Sequence, residues 1–260
     1  MIKLYKGDCL DVMPTLSEKS VDMILCDLPY GTTQCKWDII IPFELLWEQY
    51  NRLITDNGVI VLFGSEPFSS ILRTSNLPMY RYDWIWEKTQ ATGFLNAKRR
   101  PLVSHETISV FYRNQCLYMP QKTTGHKPIN SYTKRAYIQN KTEVYGKVTK
   151  DISGGGETDR FPRSVIKFSS DKQKTKLDGT IHPTQKPVLL GEYLINTYTN
   201  KNNTVLDNTM GSGTFGVSAV NTNRNFIGIE KDCPTNADKY FQIAIRRITE
   251  AGGRGIEVYE

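Results

Sequence analysis

The chain of 260 residues, with 39% hydrophobic and 23% charged residues, has the composition of a soluble globular protein of one large domain or two small ones. A membrane span is not expected, since no apolar run approaches the ~18 residues that one needs. The five cysteines are scattered without a CxxC pair, which argues against a metal site or a disulfide framework. The net charge of +6 is mild and indicates a polyanionic partner only if it is concentrated in one region.

Apolar stretches of strand length alternate with segments of helical spacing in the first part of the chain. VDMILC (21–26) and VIVLF (59–63) are unbroken apolar runs, typical of strands that are covered on both faces, as in a parallel sheet. Between them, IPFELLWEQYNRLI has apolar residues at helical spacing, and we expect Asn57 and Gly58 to end that helix.

The same alternation continues to the end of the chain and predicts a doubly wound α/β sheet. YDWIWE (82–87) and TISVFYR (107–113) indicate strands, and KPVLLGEYLINTY (186–198) indicates a helix. TVLD (204–207) and NFIGIE (225–230) indicate two more strands with a helix between them. The final helix is predicted from the apolar residues of one face: Ala237, Tyr240, Phe241, Ala244 and Ile248.

The positive charge is concentrated in one segment. Residues 113–176 contain 14 Lys and Arg against 5 Asp and Glu, a net charge of +9, which exceeds that of the whole chain. Tyrosines lie among these cations, and long apolar runs are few. The segment therefore resembles an insertion with a function of its own, and the alternative is a solvated, partly disordered loop.

A glycine-rich turn follows the TVLD strand. GSGTFG (211–216) matches G-x-G-x-x-G, and Glu230 closes the next strand about 20 residues further on, as in nucleotide-binding sites. Asp207, however, ends the strand four residues before Gly211, where its carboxylate would repel a pyrophosphate. A ligand with cationic groups and no phosphate suits it better, so we favour S-adenosylmethionine over NAD. A tight turn without a ligand is the remaining alternative.

The segment DLPY (27–30) follows the VDMILC strand and suits a methyl acceptor. The exocyclic amino group of a base is a poor nucleophile, because its lone pair is delocalised into the ring. The Asp27 carboxylate and the Leu28 carbonyl can accept its two N–H groups, while Pro29 restrains Leu28 to an extended conformation. Tyr30 can stack on a base that has been flipped out of a duplex. On its own, however, this segment also fits a simple turn after a strand.

Three motifs together resemble the DNA amino-methyltransferases, which methylate N6 of adenine or N4 of cytosine. DLPYG resembles the family's [DNS]PPY motif, DNTMGSGT resembles its DPFxGSGT motif, and HPTQKP (182–187) resembles the segment that precedes the latter. WEK (86–88), Asn96 and SHETISVF (104–111) resemble further family segments. The order of catalytic motif, insertion and cofactor motif is that of the permuted β group. The resemblance covers roughly residues 1–113 and 180–250.

The resemblance implies a Rossmann-like, mostly parallel sheet of the class I methyltransferase type with an inserted target-recognition region. Residues 1–113 would form the catalytic half, 114–179 the basic recognition insertion and 180–260 the cofactor-binding half. Double-stranded DNA would be the substrate and S-adenosylmethionine the cofactor. A cognate restriction endonuclease and a homodimer are compatible with it, and no membrane partner is expected. The start of the chain lacks the apolar core of a signal peptide, so we expect a cytoplasmic protein in a bacterial or phage-infected cell.

Site residues follow from these motifs. The catalytic candidates are Asp27, Leu28, Pro29 and Tyr30. The cofactor candidates are Asp8, Thr184, Lys186, Asp207, Asn208, Met210, Gly211, Ser212, Gly213, Thr214 and Glu230. The DNA-binding candidates are Trp37, Asn96, Lys122, Lys134, Arg135, Arg160 and Arg163. A purely structural role stays open for three of them: a turn at Asp8, the start of a helix at Lys186 and surface packing at Trp37.

Two positions depart from the family pattern. Leu28 replaces the first proline of PPY, but the acceptor there is a backbone carbonyl, so the chemistry does not require the proline. Asn208 and Thr209 replace Pro-Phe after Asp207, and in the family that phenylalanine packs near the adenine of the cofactor. Aspartate rather than serine at position 27 resembles the adenine-specific members. Cytosine N4, an RNA or protein amide acceptor, an NAD-binding oxidoreductase and a catalytically silent DNA-binding module stay open as alternatives.

Overall fold

The apolar runs of the sequence pair into one large sheet in a computed structural model, which describes residues 1–33, 38–135, 150–169, 185–231 and 237–260. The described chain divides into two compact units. One unit consists of Met1–Met119 together with Ser164–Glu260, and the other consists of Pro120–Arg163.

The main sheet lies in the first unit and has the order β11-β1-β10-β9-β2-β3-β5-β4-β8. Its strands are β1 (Ile2–Lys6), β2 (Val21–Cys26), β3 (Ile54–Gly64), β4 (Tyr80–Thr92), β5 (Val103–Phe111), β8 (Val165–Phe168), β9 (Thr204–Asp207), β10 (Asn225–Glu230) and β11 (Ile256–Tyr259). Six consecutive strands, from β11 to β3, run parallel, and β5 is antiparallel to both of its neighbours. The prediction of a doubly wound, mostly parallel sheet is confirmed.

Helices cover both faces of this sheet, which explains why its central strands are apolar throughout. The helices are α1 (Cys9–Val12), α2 (Phe43–Leu53), α3 (Phe68–Ser75), α4 (Val188–Tyr198), α5 (Thr214–Asn221) and α6 (Ala237–Glu250). One face packs against Leu46 and Tyr50 of α2 and Phe68 of α3. The other packs against residues of α4, α5 and α6, among them Leu194 and Phe241. Two separate hydrophobic cores therefore hold the sheet between them.

Several element boundaries differ from the prediction. The first long helix ends at Leu53, and β3 begins at Ile54 and runs through Asn57 and Gly58. A register shift between Val21 and Met23 of β2 accommodates these extra residues. Pairing with β2 thus overrides a local turn signal, as sheet contacts commonly do. No strand was predicted at β8, which pairs with β4.

The second unit has a small sheet of its own. Its strands β6 (Tyr132–Lys134) and β7 (Ile152–Gly154) pair antiparallel, and Thr123 forms an isolated bridge with Arg160. This unit, Pro120–Arg163, is shorter than the predicted insertion of residues 114–179 and lies inside it. Part of the predicted insertion, β8, belongs to the main sheet instead. Residues 120–163 carry a net charge of +5.

Among the described residues, no helix combines the length and the apolar character that crossing a membrane would require.

Candidate active site

The predicted catalytic and cofactor segments meet where the winding of the sheet reverses. From β9 the chain crosses to β10 on one side, and from β2 it crosses to β3 on the other, while β9 and β2 are neighbours. The carboxyl ends of parallel strands at such a switch point form the crevice in which open α/β sheets bind ligands. Asp207 ends β9 and Asp27 directly follows β2, so both carboxylates lie at this edge.

Both carboxylate oxygens of Asp27 accept hydrogen bonds. The hydroxyl of Tyr30 donates to one of them over 2.7 Å, and the ammonium group of Lys186 donates to the other over 2.6 Å. Lys186 precedes α4 and is buried, with its ammonium group 5.6 Å from the centroid of the Tyr30 ring. The side chain predicted to touch the cofactor therefore contacts the carboxylate that is predicted to be catalytic.

A second carboxylate lies behind Lys186. Glu106 of β5 is 3.2 Å from the Lys186 ammonium and also pairs with Lys88 of β4. Burial opposes ionisation of Glu106, but the two ammonium groups hold its pKa below the usual value. Burial raises the pKa of Asp27, against the opposing effect of Lys186. Burial also disfavours the Lys186 ammonium, yet the two carboxylates raise its pKa, so we treat it as charged.

The loop after β2 is held rigidly at several points. The side chain of Leu28 is buried in the core on the α2 side, and the ring of Tyr30 stacks on Phe68 with their centroids 4.9 Å apart. Asp38 accepts hydrogen bonds from the backbone N–H groups of residues 31, 32 and 33. These contacts fix the backbone on either side of Pro29, as the two-acceptor hypothesis requires.

The glycine-rich turn connects β9 to α5 with two left-handed glycines. Gly211 has φ 51°, and its N–H donates to a carboxylate oxygen of Glu230 over 2.7 Å. Gly213 has φ 77° and caps α5, where a Cβ would lie 2.8 Å from that of Ala244. Met210 is buried and donates its N–H to the carbonyl of Ile229. The turn is thus fastened to the end of β10.

Asp207, at the start of this turn, and Glu230, at the end of β10, suit a ligand with cationic and hydroxyl groups. Asp207 is buried, and among the described residues no Lys or Arg forms an ion pair with it. Burial raises its pKa well above the usual value. Burial likewise raises the pKa of Glu230 to about 7. Because a buried carboxylate without a counter-charge is costly, an ammonium-bearing ligand at this place would compensate Asp207.

Asn208 and Thr209, which depart from the family pattern, connect the glycine-rich turn with β2, α2 and the residue after β2. Asn208 is buried, and its amide oxygen accepts hydrogen bonds from the hydroxyl of Tyr50 at 2.6 Å and the thiol of Cys26 at 2.9 Å. The hydroxyl of Thr209 donates to the backbone carbonyl of Asp27 over 3.2 Å. The side chain of Asn208 thus contacts the core beneath the site, and its cofactor role stays a prediction.

A buried arginine supports the glycine-rich turn from α6. One terminal nitrogen of the Arg247 guanidinium lies 2.6 Å from the backbone carbonyl of Ser212 and 2.9 Å from its hydroxyl. The same nitrogen lies 3.3 Å from the hydroxyl of Thr214. Ser212 and Thr214, both predicted to bind the cofactor, are therefore positioned by this arginine.

The remaining cofactor candidates lie on either side of these loops. Asp8 follows β1, caps α1 by accepting the N–H of Leu10, and pairs with Lys231 over 2.7 Å. It lies near the end of β10, because Gly7 donates its N–H to the carbonyl of Glu230. Thr184 lies outside the described residues, as does the DNA-binding candidate Trp37.

Most DNA-binding candidates belong to the unit Pro120–Arg163. Lys134, Arg135 and Arg163 are exposed there. Lys122 pairs with Asp159 over 2.7 Å, and the Arg160 guanidinium donates to backbone carbonyls, including those of Glu157 and Asp159. The structure thus gives Arg160 a part in holding this unit together, and the DNA contacts of all five stay predictions. Asn96 lies in the β4–β5 loop of the main unit.

Sequence reasoning missed several residues of this site. Glu106 and Lys88 were seen only as parts of family-like segments, because nothing local connects them with Asp27. Arg247 had a usable signal, since a cation three residues after Ala244 interrupts the apolar face of the last helix. A cation in that position must find hydrogen-bond partners if it is buried.

Comparisons with known proteins agree with this geometry. Residues 21–234 match the model of a family described as DNA methylase. The type II methyltransferase M1.MboII of Moraxella bovis is 27% identical over 91% of this chain and 92% of its own. M2.MboI of the same organism is 24% identical over 95% of this chain and 87% of its own. The crystal structure of an M1.HpyAVI–SAM complex is 27% identical, covers 95% of this chain and all of its own, and gives a TM-score of 0.60.

Proposed function

Since the chain belongs to the DNA methylase family, we propose that it methylates the N6 amino group of adenine within a specific sequence of double-stranded DNA. Membership confirms the resemblance drawn from the sequence motifs. It also confirms the predicted cofactor, because this family uses S-adenosylmethionine. An NAD-dependent oxidoreductase is set aside accordingly.

The observation that carries the proposal is the Asp27 carboxylate, held at the switch point beside the glycine-rich turn. The amino group of a base has two N–H groups and a lone pair delocalised into the ring. When Asp27 and the Leu28 carbonyl accept these N–H groups, the nitrogen is drawn towards a tetrahedral geometry. Preorganised groups of this kind stabilise a transition state without further rearrangement.

An arriving amino group must displace one of the present partners of Asp27. Lys186 is the better candidate, because it can retain its contact with Glu106 and so stay paired in a buried place. Tyr30 can keep its hydrogen bond to the other oxygen and hold the carboxylate in orientation. Glu106 thus acts as a positioning residue that keeps the lysine nearby during the exchange.

Bound S-adenosylmethionine supplies a methyl group whose carbon is electrophilic because it is attached to a positively charged sulfur. In this proposal Asp207 would hold a cationic group of the cofactor, and Glu230 would accept hydrogen bonds from its ribose hydroxyls; the burial of Asp207 and the raised pKa of Glu230 support these roles. The lone pair of the amino nitrogen would form the new bond to the methyl carbon while the bond from that carbon to sulfur breaks, so that the sulfur leaves as a neutral thioether with the electron pair of the broken bond. The nitrogen then carries a positive charge and one proton too many. The Asp27 carboxylate, whose pKa burial raises, can accept that proton.

Adenine is preferred over cytosine as the target because position 27 is aspartate, as in the adenine-specific members that the motif resembles. The two-acceptor arrangement alone suits either amino group. The unit Pro120–Arg163 would provide contacts to phosphates and base edges through its net positive charge. A companion restriction endonuclease, a homodimer and a cytoplasmic location belong to the same proposal.

The direct test is methylation of unmethylated mixed-sequence DNA, followed by nucleoside analysis and methylation-sensitive sequencing. We expect N6-methyladenine at one short recurrent sequence. N4-methylcytosine would keep the enzyme class and change the target base, whereas absence of methyl transfer to DNA would refute the proposal.

The Asp27→Ala variant tests the mechanism in the same assay. Its turnover should fall by about 10²–10³, the scale for losing one preorganised contact in the transition state. Its affinity for S-adenosylmethionine should stay close to that of the wild type, which serves as the control for folding. Turnover within a few-fold of wild type would remove Asp27 from the mechanism.

A further inference from the structure

The loop between β4 and β5 presents two apolar side chains to solvent. Phe94 is 81% exposed and Leu95 is 99% exposed, more than any other large apolar side chain that the structure describes. Single exposed apolar residues are common on protein surfaces, but two in succession at a loop tip are not explained by packing. They contact no core cluster among the described residues.

The tip is an ordered turn. Phe94–Asn96 form a 3-10 turn that follows the left-handed Gly93. The carbonyl of Phe94 accepts the N–H of Ala97, and the carbonyl of Asn96 accepts those of the two following arginines. These hydrogen bonds hold the backbone of the tip, and with it the two apolar side chains, in a defined position.

Positive charge surrounds the two apolar side chains. Lys98, Arg99 and Arg100 follow Leu95 after two intervening residues and are exposed. Residues 88–105 contain four Lys and Arg and no Asp or Glu. Cations beside an apolar tip complement a partner with an anionic surface and a stacked apolar interior, which describes duplex DNA.

The fold places this tip on the same edge of the sheet as Asp27. β5 runs antiparallel to β3, and Gly64 at the carboxyl end of β3 pairs with Thr107 of β5. The β4–β5 hairpin therefore extends beyond the carboxyl edge, where Thr92 pairs with Val103. Glu106, which is joined to Asp27 through Lys186, lies three residues after Val103 of that pair, or about 10 Å along the strand.

From this juxtaposition we infer that Phe94 and Leu95 form a wedge that enters duplex DNA when the target base leaves the stack for the Asp27 site. The inference rests on the proposed function. Extraction of a base costs its pairing and stacking. Apolar side chains inserted between base steps offset that cost in other proteins that distort DNA, and neighbouring cations hold the backbone. Lys98, Arg99 and Arg100 provide these cations.

If the wedge exists, removing its two side chains should lower methylation activity on a duplex in which the target base is paired, and much less where that base is already unpaired. The double variant Phe94→Ala/Leu95→Ala should methylate a paired duplex with kcat/KM about 10- to 100-fold below wild type, as expected for lost stacking on bases. The probes are two short duplexes that carry the sequence methylated by the wild type. One is fully paired, and the other has an abasic position opposite the target base. On the second, the variant should be within about threefold of wild type, since the base is already unpaired.

Three controls separate this role from others. Leu77→Ala removes an exposed leucine, 59% accessible, near the opposite end of β4. This variant should methylate both duplexes at the wild-type rate. Phe94→Trp keeps a ring that can stack and should retain most of the activity on the paired duplex. Equilibrium binding of S-adenosylmethionine should be unchanged in every variant.

Equal rates for the double variant and wild type on the paired duplex would overturn the wedge, and so would an equal loss on both duplexes. Loss of S-adenosylmethionine binding by the double variant would assign the loop a structural role and overturn it as well. In all these cases the wild type still methylates DNA. A wild type that methylates neither duplex would instead refute the proposed function, and the wedge with it.

Discussion

At the scale of single residues, the protonation of two buried acids, Asp207 and Glu230, matters for ligand binding at this site. Asp207 and Glu230 end neighbouring parallel strands, and burial raises the pKa of both. Without a ligand they are therefore costly to ionise. A ligand that brings a cation to Asp207 and hydroxyl donors to Glu230 favours the ionised forms. Cofactor binding and loss of protons are consequently linked.

We therefore expect the affinity for S-adenosylmethionine to weaken as the pH falls through about 7, the pKa of Glu230. The protonated acid is favoured below this value, so protons compete with the ribose hydroxyls for the carboxylate. Well below the pKa, the dissociation constant should rise by about tenfold per pH unit. Calorimetric titrations between about pH 6 and 8.5 would measure the slope.

The variant Glu230→Gln cannot titrate and serves as the control. Its affinity should be lower at pH 8, by roughly 1–3 kcal/mol for the lost charge-assisted hydrogen bonds, and nearly independent of pH. A slope that persists in this variant would come from Asp207, whose pKa burial also raises. An affinity of the wild type that does not change over this range would contradict the assignment to Glu230.

At the scale of elements, the glycine-rich turn depends on the helix behind it. Gly213 caps α5 in a left-handed conformation, and a Cβ there would meet both the Cβ and the Cα of Ala244 in α6 at under 3 Å. Arg247 of the same helix contacts Ser212 and Thr214. The distance between α6 and the turn therefore constrains the shape of the predicted cofactor site.

The pair Gly213→Ala and Gly252→Ala tests this dependence. Both glycines have positive φ, so each variant should lose about 1–2 kcal/mol of the free energy of unfolding from backbone strain. Only at Gly213 would the added Cβ collide with a neighbour, Ala244. This overpacking should lower the free energy of unfolding of that variant by about 1–3 kcal/mol more. Denaturant titration would measure both losses.

Cofactor affinity should fall only in the Gly213 variant, because Gly252 lies after α6 with open space around it. Equal stability and equal affinity in the two variants would show that α6 does not constrain the turn.

At the scale of the whole molecule, positive charge is divided unevenly between the two compact units. Residues 120–163 carry +5 of the chain's net +6. Each phosphate that a Lys or Arg neutralises makes the logarithm of affinity fall by ~0.9 for each tenfold rise in salt. DNA binding should therefore be steeply dependent on salt, and residues of this unit should account for part of the slope.

Replacing Lys134 and Arg135 together with alanine should flatten that slope by about 1–2 units if both contact phosphate. The matched control is Lys201→Ala/Arg254→Ala, which removes two exposed cations before β9 and β11, at the sheet edge opposite to Asp27. Binding of a fluorescent duplex over a range of salt concentrations would compare them. Equal slopes for the two double variants would contradict a phosphate contact by Lys134 and Arg135.

A deletion confined to residues 120–163 asks whether this unit selects the DNA sequence. It should spare cofactor binding and abolish site selectivity, because the cofactor motifs lie in the other unit. It leaves β8 in place, which a longer deletion would remove from the main sheet. If the shortened enzyme still methylates the wild-type sites, recognition must come from other loops, such as that of Asn96.

The sequence by itself determined the features that local rules control. Strands buried on both faces need unbroken apolar runs, so β2, β3, β9 and β10 were found where the runs are. Left-handed turns need glycine, so the turn at Gly211 and Gly213 was found as well. Asp27 and Asp207 were identified because each lies in a short motif, DLPYG and DNTMGSGT, and the motifs together resemble those of a known family.

Tertiary structure alone decided which distant side chains meet. Lys88, Glu106 and Lys186 come from three separate segments and form a series of ion pairs that ends at Asp27, and no local pattern in the sequence records this arrangement. Pairing with β2 extended β3 through Asn57 and Gly58 against their turn preference. Phe94 and Leu95 are exposed in a hairpin, formed by β4 and β5, that extends past the end of β3. Local propensities are worth less than the burial and pairing that the assembled sheet provides, so such contacts follow from the fold and not from any short segment.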